Sequence, residues 1–179
     1  MRFQDNIQQR FTARHKKSLI FVGSINGKII LDIGCSFGWF SKIMVENGCK
    51  EVVGVDLTER DLLNAVSQTN SQRARFLKCS ALDLSILERN HFDLVVMWEV
   101  LEHLPRNIER LVLEEIKKVL KPAGTLYMSV PNKSFWSCLL DPAWYCGHRH
   151  YSKDSVCDML SRTGFKIENI EYGGGFYEL

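Results

Sequence analysis

Small residues and carboxylates stand in this chain where a backbone could cradle a nucleoside. In Ile30 to Lys42, ILDIGCSFGWFSK, Asp32 precedes a turn built on Gly34, Ser36 and Gly38, and Asp56 comes eighteen residues after Gly38. Small side chains let a ligand approach the backbone closely, because they remove the Cβ obstruction. A helix beginning behind the turn directs its free N–H groups at the ligand. A carboxylate in the place of Asp56 can accept hydrogen bonds from both hydroxyls of a ribose. A second polar group follows the apolar run FDLVVM: Trp98, Glu99, Glu102 and His103 in WEVLEHL, with His148 and His150 further along. Carboxylates and imidazoles are the usual groups for removing a proton. Glu99 and His103 are four residues apart, so one helical turn would set them on a common face, which Glu102 and His103 share poorly.

These residues need a frame that brings them together. Apolar, strand-like runs occur at Lys28 to Ile33, Glu51 to Val55, Ala74 to Lys78, Phe92 to Met97, Thr125 to Val130 and Phe165 to Tyr172. Helices are expected at Trp39 to Glu46, stopped by Asn47-Gly48, and at Glu59 to Gln68, with Thr58 as N-cap. Further helices are expected over Ile108 to Leu120, stopped by Pro122 and Gly124, and from a Ser152 cap through Leu160. A basic amphipathic helix is expected over Phe3 to Phe21 within an N-terminal region, residues 1–28. Strand and helix alternate, and the central strands are continuous apolar runs. That pattern describes an α/β fold: a doubly wound, mostly parallel, Rossmann-like sheet of six to seven strands. Ligands bind such sheets beyond the carboxyl ends of the strands, near the switch point. The aromatic segment 131–151 is expected to be either a substrate lid or a satellite core.

The totals narrow the class. A chain of 179 residues reads as one domain, 1–179, with one sizeable core. A net charge of +2 gives no argument for a nucleic-acid or membrane partner. The six cysteines, at 35, 49, 79, 138, 146 and 157, form no CxxC pair, and buried reduced thiols are expected. The polar N-terminus is unlike a secretory signal, and no apolar run is long enough to span a bilayer. Together these point to a cytoplasmic setting.

Two nucleotide-binding patterns fail on the residues present. A dinucleotide fingerprint needs glycine at its third position, which here would be Trp39, and no Gly-Lys-Ser/Thr follows for a phosphate loop. The combination of LDIGCSFG, GVD, FLKCSALDL, FDLVVMWEVLEHL and LKPAGTLYMSVPN resembles the class I S-adenosylmethionine-dependent methyltransferases. It is most similar to the subgroup with ubiquinone-biosynthesis-type and sugar O-methyltransferases, over Ile29 to Tyr172. The resemblance implies that Asp32 and the backbone of Gly34, Ser36 and Gly38 hold the methionine part of S-adenosylmethionine. Asp56 would bind the ribose, Leu57 would pack beside the adenine, Ser80, Ala81 and Leu82 would line the adenine pocket, and Trp98 would lie near the sulfonium. Ser36 replaces the family's usual middle glycine, and Ser80 stands where an aspartate is frequent. The family also adds a seventh strand, whereas this sequence ends GGGFYEL, so a short or truncated last strand and an open sheet edge are expected.

The reaction implied is methyl transfer to an acceptor by in-line displacement, with S-adenosylhomocysteine as product. Glu99, His103 and His150 are the candidates for proton removal. EVLEH followed by a distant histidine is also similar to the metal-binding pattern of small-RNA 2′-O-methyltransferases. Glu99, Glu102, His103 and His150 are therefore a candidate divalent-metal set, ranked below a metal-free site because EVLEH is common in the family without an assigned metal. An Asn/Asp-Pro-Pro-aromatic tetrad and a Pro-Cys pair are both lacking, which disfavours methylation of nucleic-acid bases. A small-molecule hydroxyl is the leading acceptor. An RNA 2′-hydroxyl and a non-catalytic cofactor-binding scaffold are the alternatives.

Overall fold

The structure is a computed structural model that describes residues 13–133 and 149–172. In chain order the elements are α1 (Ala13–Val22), β1 (Ile29–Ile33), α2 (Trp39–Glu46), β2 (Glu51–Asp56), α3 (Glu59–Thr69), β3 (Ala74–Lys78), β4 (Phe92–Trp98), a 3-10 turn (Leu101–His103), α4 (Glu109–Val119), β5 (Leu120–Ser129) and α5 (Lys153–Arg162). Most of the expected aromatic lid and the start of the expected N-terminal helix lie outside the described residues.

The strands form one parallel sheet in the order β3-β2-β1-β4-β5. The order reverses between β1 and β4, so the carboxyl ends of those strands flank the switch point. Every residue of β1 is buried, as expected for a strand covered on both sides. Alternate residues supply the two faces. Ile30, Val52, Leu94 and Val96 pack with Phe40 and Met44 of α2 and Val22 of α1. Leu31, Val53, Val95 and Met97 pack with Val112 and Ile116 of α4, and Met159 and Leu160 of α5 lie against that cluster.

Helix ends follow the sequence signals in most places. Asn47 N–H donates to the Ile43 carbonyl and Gly48 N–H to the Val45 carbonyl to close α2, and Ser152 Oγ accepts from Ser155 N–H at 3.2 Å to start α5. Thr58 does precede α3, but its hydroxyl makes no cap hydrogen bond; its backbone N–H bonds Asp56 instead.

Two expectations about the sheet are corrected. β5 starts at Leu120, directly after α4, and ends at Ser129, where sequence reading placed it at Thr125 to Val130. Its register jumps, with Phe92 opposite Leu120 but Leu94 opposite Thr125, so residues 121–124 bulge out. Ala123 there has φ +63°, and a Cβ on Gly124 would come within 3.1 Å of the Phe92 carbonyl oxygen. Phe165 to Tyr172, expected as a sixth strand, forms no ladder among the described residues. A strand exists only where a neighbour takes its N–H and C=O groups, and β5 is the last paired strand among the described residues.

Cys35, Cys49 and Cys79 are buried free thiols and Cys157 is a half-buried one; Cys138 and Cys146 lie outside the described residues. No helix among the described residues is long and apolar enough to cross a membrane.

Candidate functional site

The turn after β1 is built by backbone hydrogen bonds to its neighbour strand. Val55 O accepts from Gly34 N–H at 2.8 Å and from Cys35 N–H at 3.1 Å, and Gly38 N–H donates to Cys35 O at 2.8 Å. Gly34, Ser36 and Gly38 all have positive φ, at 71°, 47° and 73°. For Ser36 this left-handed backbone costs about 1 kcal/mol, and its N–H is held by Asp56 Oδ2 at 3.0 Å. The two glycines also serve packing. A Cβ on Gly34 would lie 2.5 Å from Val100 Cγ2, and one on Gly38 would lie 2.7 Å from the Ala65 Cβ. The turn is therefore pressed against the loop after β4 on one side and against α3 on the other.

Asp56 is the hub of the turn. Its Oδ2 takes the Ser36 N–H and its Oδ1 takes the Thr58 N–H at 2.9 Å, so both oxygens are fixed by backbone donors. Asp32 lies deeper. Its carboxyl is 2 % exposed and accepts the Ser41 hydroxyl of α2 at 2.6 Å. Burial pushes the Asp32 carboxyl up to about 7, against the opposing pull of that hydrogen bond.

After β4 the chain turns sharply. Glu99 has φ +54°, and the 3-10 turn begins only at Leu101. The expected helical pairing of Glu99 with His103 is thus corrected: Glu99 is not helical, and the bend in the loop rather than helical spacing sets its direction. Trp98 packs edge-on against Phe40, ring centroids 5.3 Å apart, and Phe40 in turn meets Trp39 at 5.1 Å. The buried Trp98 Nε1 has no hydrogen-bond partner among the described residues.

At the switch point a cavity of ≈ 580 Å³ opens between these loops, within the usual range for a small-molecule site. Of the residues singled out in the sequence, Gly34, Ser36, Asp56, Leu57, Ala81, Trp98, Glu99 and His103 line it. Asp32, Gly38, Ser80, Leu82 and His150 do not. Asp32 is bonded to Ser41 of α2, and Gly38 is packed against Ala65 of α3. Ser80 Oγ is turned back to its own loop, where it accepts from Leu82 N–H at 3.2 Å. Sequence reading missed Ser18, Thr58, Val100 and Ser129, which also line the cavity. Ser129 had a legible signal: it is the polar residue at the carboxyl end of TLYMS, in register with Trp98.

His150 lies outside the cavity lining. Its neighbour Arg149 donates to Glu109 Oε1 of α4 and to the Leu101 carbonyl, and lies 5.4 Å from the centre of the Tyr151 ring. Tyr151 OH also donates to Leu101 O, at 3.1 Å. Tyr151 is tied to the end of β5 by its N–H to Pro131 O at 2.8 Å, while its carbonyl accepts the Lys133 N–H at 2.9 Å. Among the described residues no three His, Cys, Asp or Glu side chains converge as a metal-binding group, so the Glu99, Glu102, His103 and His150 set is not gathered.

Comparisons with known proteins bear on the family and the fold. A family model described as a methyltransferase domain matches residues 3–170. The ubiquinone biosynthesis O-methyltransferase of Idiomarina loihiensis is 34 % identical over 139 residues, covering 73 % of this chain and 56 % of that protein. The protein of the same description from Coxiella burnetii is 28 % identical over 63 % of this chain and 47 % of its own length. The chain thus spans about half the length of the curated relatives it matches. Among solved structures, an S-adenosylmethionine-dependent methyltransferase from Mesorhizobium loti superposes with a TM-score of 0.74 at 22 % identity, covering 88 % of this chain and 83 % of that one. The cyclase SpnF has the same TM-score, 0.74, at 20 % identity, over 86 % of this chain and 58 % of its own. The magnesium protoporphyrin IX methyltransferase of Synechocystis, with S-adenosylhomocysteine bound, gives 0.70 at 19 % identity, over 84 % and 70 % of the two chains. At these identities the structural likeness concerns the fold.

Proposed function

The chain belongs to the methyltransferase-domain family, and on that premise we propose that it methylates a hydroxyl of a small molecule with S-adenosylmethionine as donor. The observation that carries the proposal is the Asp56 fork. One carboxylate organises the turn after β1 through Ser36 and the start of α3 through Thr58, and it faces a cavity at the switch point. The donor set fits an adenosyl cofactor. Asp56 would accept the ribose hydroxyls, with Leu57 and Ala81 beside the adenine. Leu57 is 65 % exposed, so an apolar surface stands ready at the rim for a flat base. Gly34 and Ser36 would hold the amino-acid end, with the buried Asp32 carboxyl, bonded to Ser41, behind them.

When bound, the cofactor supplies an electrophilic methyl group. The chain's own part is to align, shield and move a proton. Trp98 and Trp39 wall the cavity with apolar surface that excludes water. Glu99 and His103 line it as proton acceptors. Either would take the proton of an acceptor hydroxyl as its oxygen is methylated. The names of the relatives, O-methyltransferases, favour an oxygen acceptor.

A methyl-transfer assay with tritium-methyl cofactor tests this. Label is expected in phenols or sugars and not in RNA. Labelling of RNA alone would move the acceptor to a 2′-hydroxyl, and binding without label in any acceptor would leave a scaffold.

A further inference from the structure

Ser129 closes a clasp on Glu99. It is the last residue of β5 and stands opposite Trp98 in the parallel register, so its side chain meets the first residue of the loop beyond β4. Ser129 Oγ donates to Glu99 Oε1 at 2.6 Å, and the same oxygen accepts the Glu99 backbone N–H at 3.2 Å. The Ser129 carbonyl shares that N–H at 3.3 Å. One hydroxyl thus holds both ends of one glutamate.

Glu99 needs holding. Its φ of +54° is a left-handed conformation that a glutamate seldom adopts. A glutamate side chain also has rotamer freedom costing up to roughly 2 kcal/mol to freeze. The backbone N–H would be satisfied by the Ser129 carbonyl without any hydroxyl. What the hydroxyl adds is the short bond to the carboxylate, which fixes where the carboxylate points. Glu99 and Ser129 both line the cavity, together with Trp98 and His103.

We propose that Ser129 is the positioning residue that holds the Glu99 carboxylate at the cavity wall as the proton acceptor for the incoming hydroxyl. The inference rests on the methyl-transfer reading of this site and deepens it, choosing Glu99 over His103 for the proton. Ser129 does not itself give up a proton in the reaction; it orients the group that takes one.

An isosteric pair tests it in the full chain. Ser129→Thr keeps the hydroxyl and Ser129→Val replaces it by a methyl of the same shape, and β-branched residues suit a strand. Turnover is measured with tritium-methyl cofactor and a panel of catechol, methyl glucoside and a short single-stranded RNA, and S-adenosylhomocysteine affinity is measured by calorimetry. S129T is expected to keep kcat within about threefold of wild type. S129V is expected to lose kcat by about 10²-fold, with acceptor KM and S-adenosylhomocysteine affinity within about twofold of S129T. E99Q is expected to lose as much, and S129V with E99Q no more than either alone. Equal kcat for S129V and S129T, or losses of S129V and E99Q that multiply, would overturn the inference and leave the methyl-transfer reading standing. A wild-type chain that binds S-adenosylhomocysteine yet labels nothing in the panel overturns the reading and the inference together.

Discussion

Ser41 donates its hydroxyl to Asp32 Oδ2 at 2.6 Å, joining a fully buried residue of α2 to the carboxyl at the end of β1. That bond and the Ser41 backbone N–H relieve the Asp32 carboxyl in part, but burial still pushes it from 3.8 up to about 7.

That shift makes stability depend on pH with a definite sign. A carboxyl whose folded value is raised contributes stability that is complete below the unfolded value and is lost as pH rises through the folded one. The window therefore runs from about 4 to about 7. Thermal unfolding of the free protein should move to lower temperature as pH rises from about 5 to about 7.5, with a total loss on the order of 4 kcal/mol across the window. Asp32→Asn should flatten this part of the profile. A D32N profile parallel to wild type would contradict it.

Gly34→Ala places a methyl 2.5 Å from Val100 Cγ2 at a backbone φ of +71°. The backbone strain alone costs about 1–2 kcal/mol, and the clash adds to it. G34A should unfold in denaturant at clearly lower midpoint, by roughly 3 kcal/mol. Adding V100A should recover the steric part and leave the backbone part. Additive losses in the double variant would show that Val100 is not what the turn presses on.

Asp56→Asn cannot accept both backbone N–H groups, because one of its two terminal atoms becomes a donor. Losing a hydrogen bond from a charged acceptor costs about 1.5–3 kcal/mol. Calorimetry should therefore show S-adenosylhomocysteine binding weaker by about tenfold to a hundredfold. An unchanged affinity would remove Asp56 from the cofactor site.

Arg149 and Glu109 are a mostly buried ion pair, with side chains 15 % and 16 % exposed. Removing one partner of such a pair costs about 3–5 kcal/mol. Arg149→Met should lower the unfolding midpoint accordingly, and Arg149→Lys should recover little, since a lysine cannot reach Glu109 and the Leu101 carbonyl with one planar fork. Full recovery by R149K would mean that charge alone matters there.

How much of this was legible in the sequence can be traced residue by residue. Three of the strands up to Trp98 announce themselves, because IILDI, EVVGV and FDLVVM are apolar runs carrying one carboxylate each and so must be covered on both faces. Asp56 was legible from its distance to the glycine turn. The start of β5 was not. Leu120 is at once the last apolar position of the α4 stripe and the first of the strand, so periodicity cannot divide them, and the bulge at 121–124 hides the register.

The rest of the site depends on contacts that spacing does not encode. Glu99 has a local sequence that reads as helix, and only the clasp from Ser129, thirty residues away, explains its backbone. Arg149 meets Leu101 across 48 residues. By spacing alone Gly34 and Gly38 suggest room for a ligand, but Val100 and Ala65 fill the positions that their Cβ atoms would occupy.

The central claim is that the cavity fenced by Asp56 and Trp98 is a cofactor site. Calorimetric titration of the full chain with S-adenosylhomocysteine tests it most directly. The account predicts one site per chain with a dissociation constant of about 1–100 μM, weakened by D56N. No binding heat up to about 1 mM, with no change in unfolding temperature at that concentration, would contradict it.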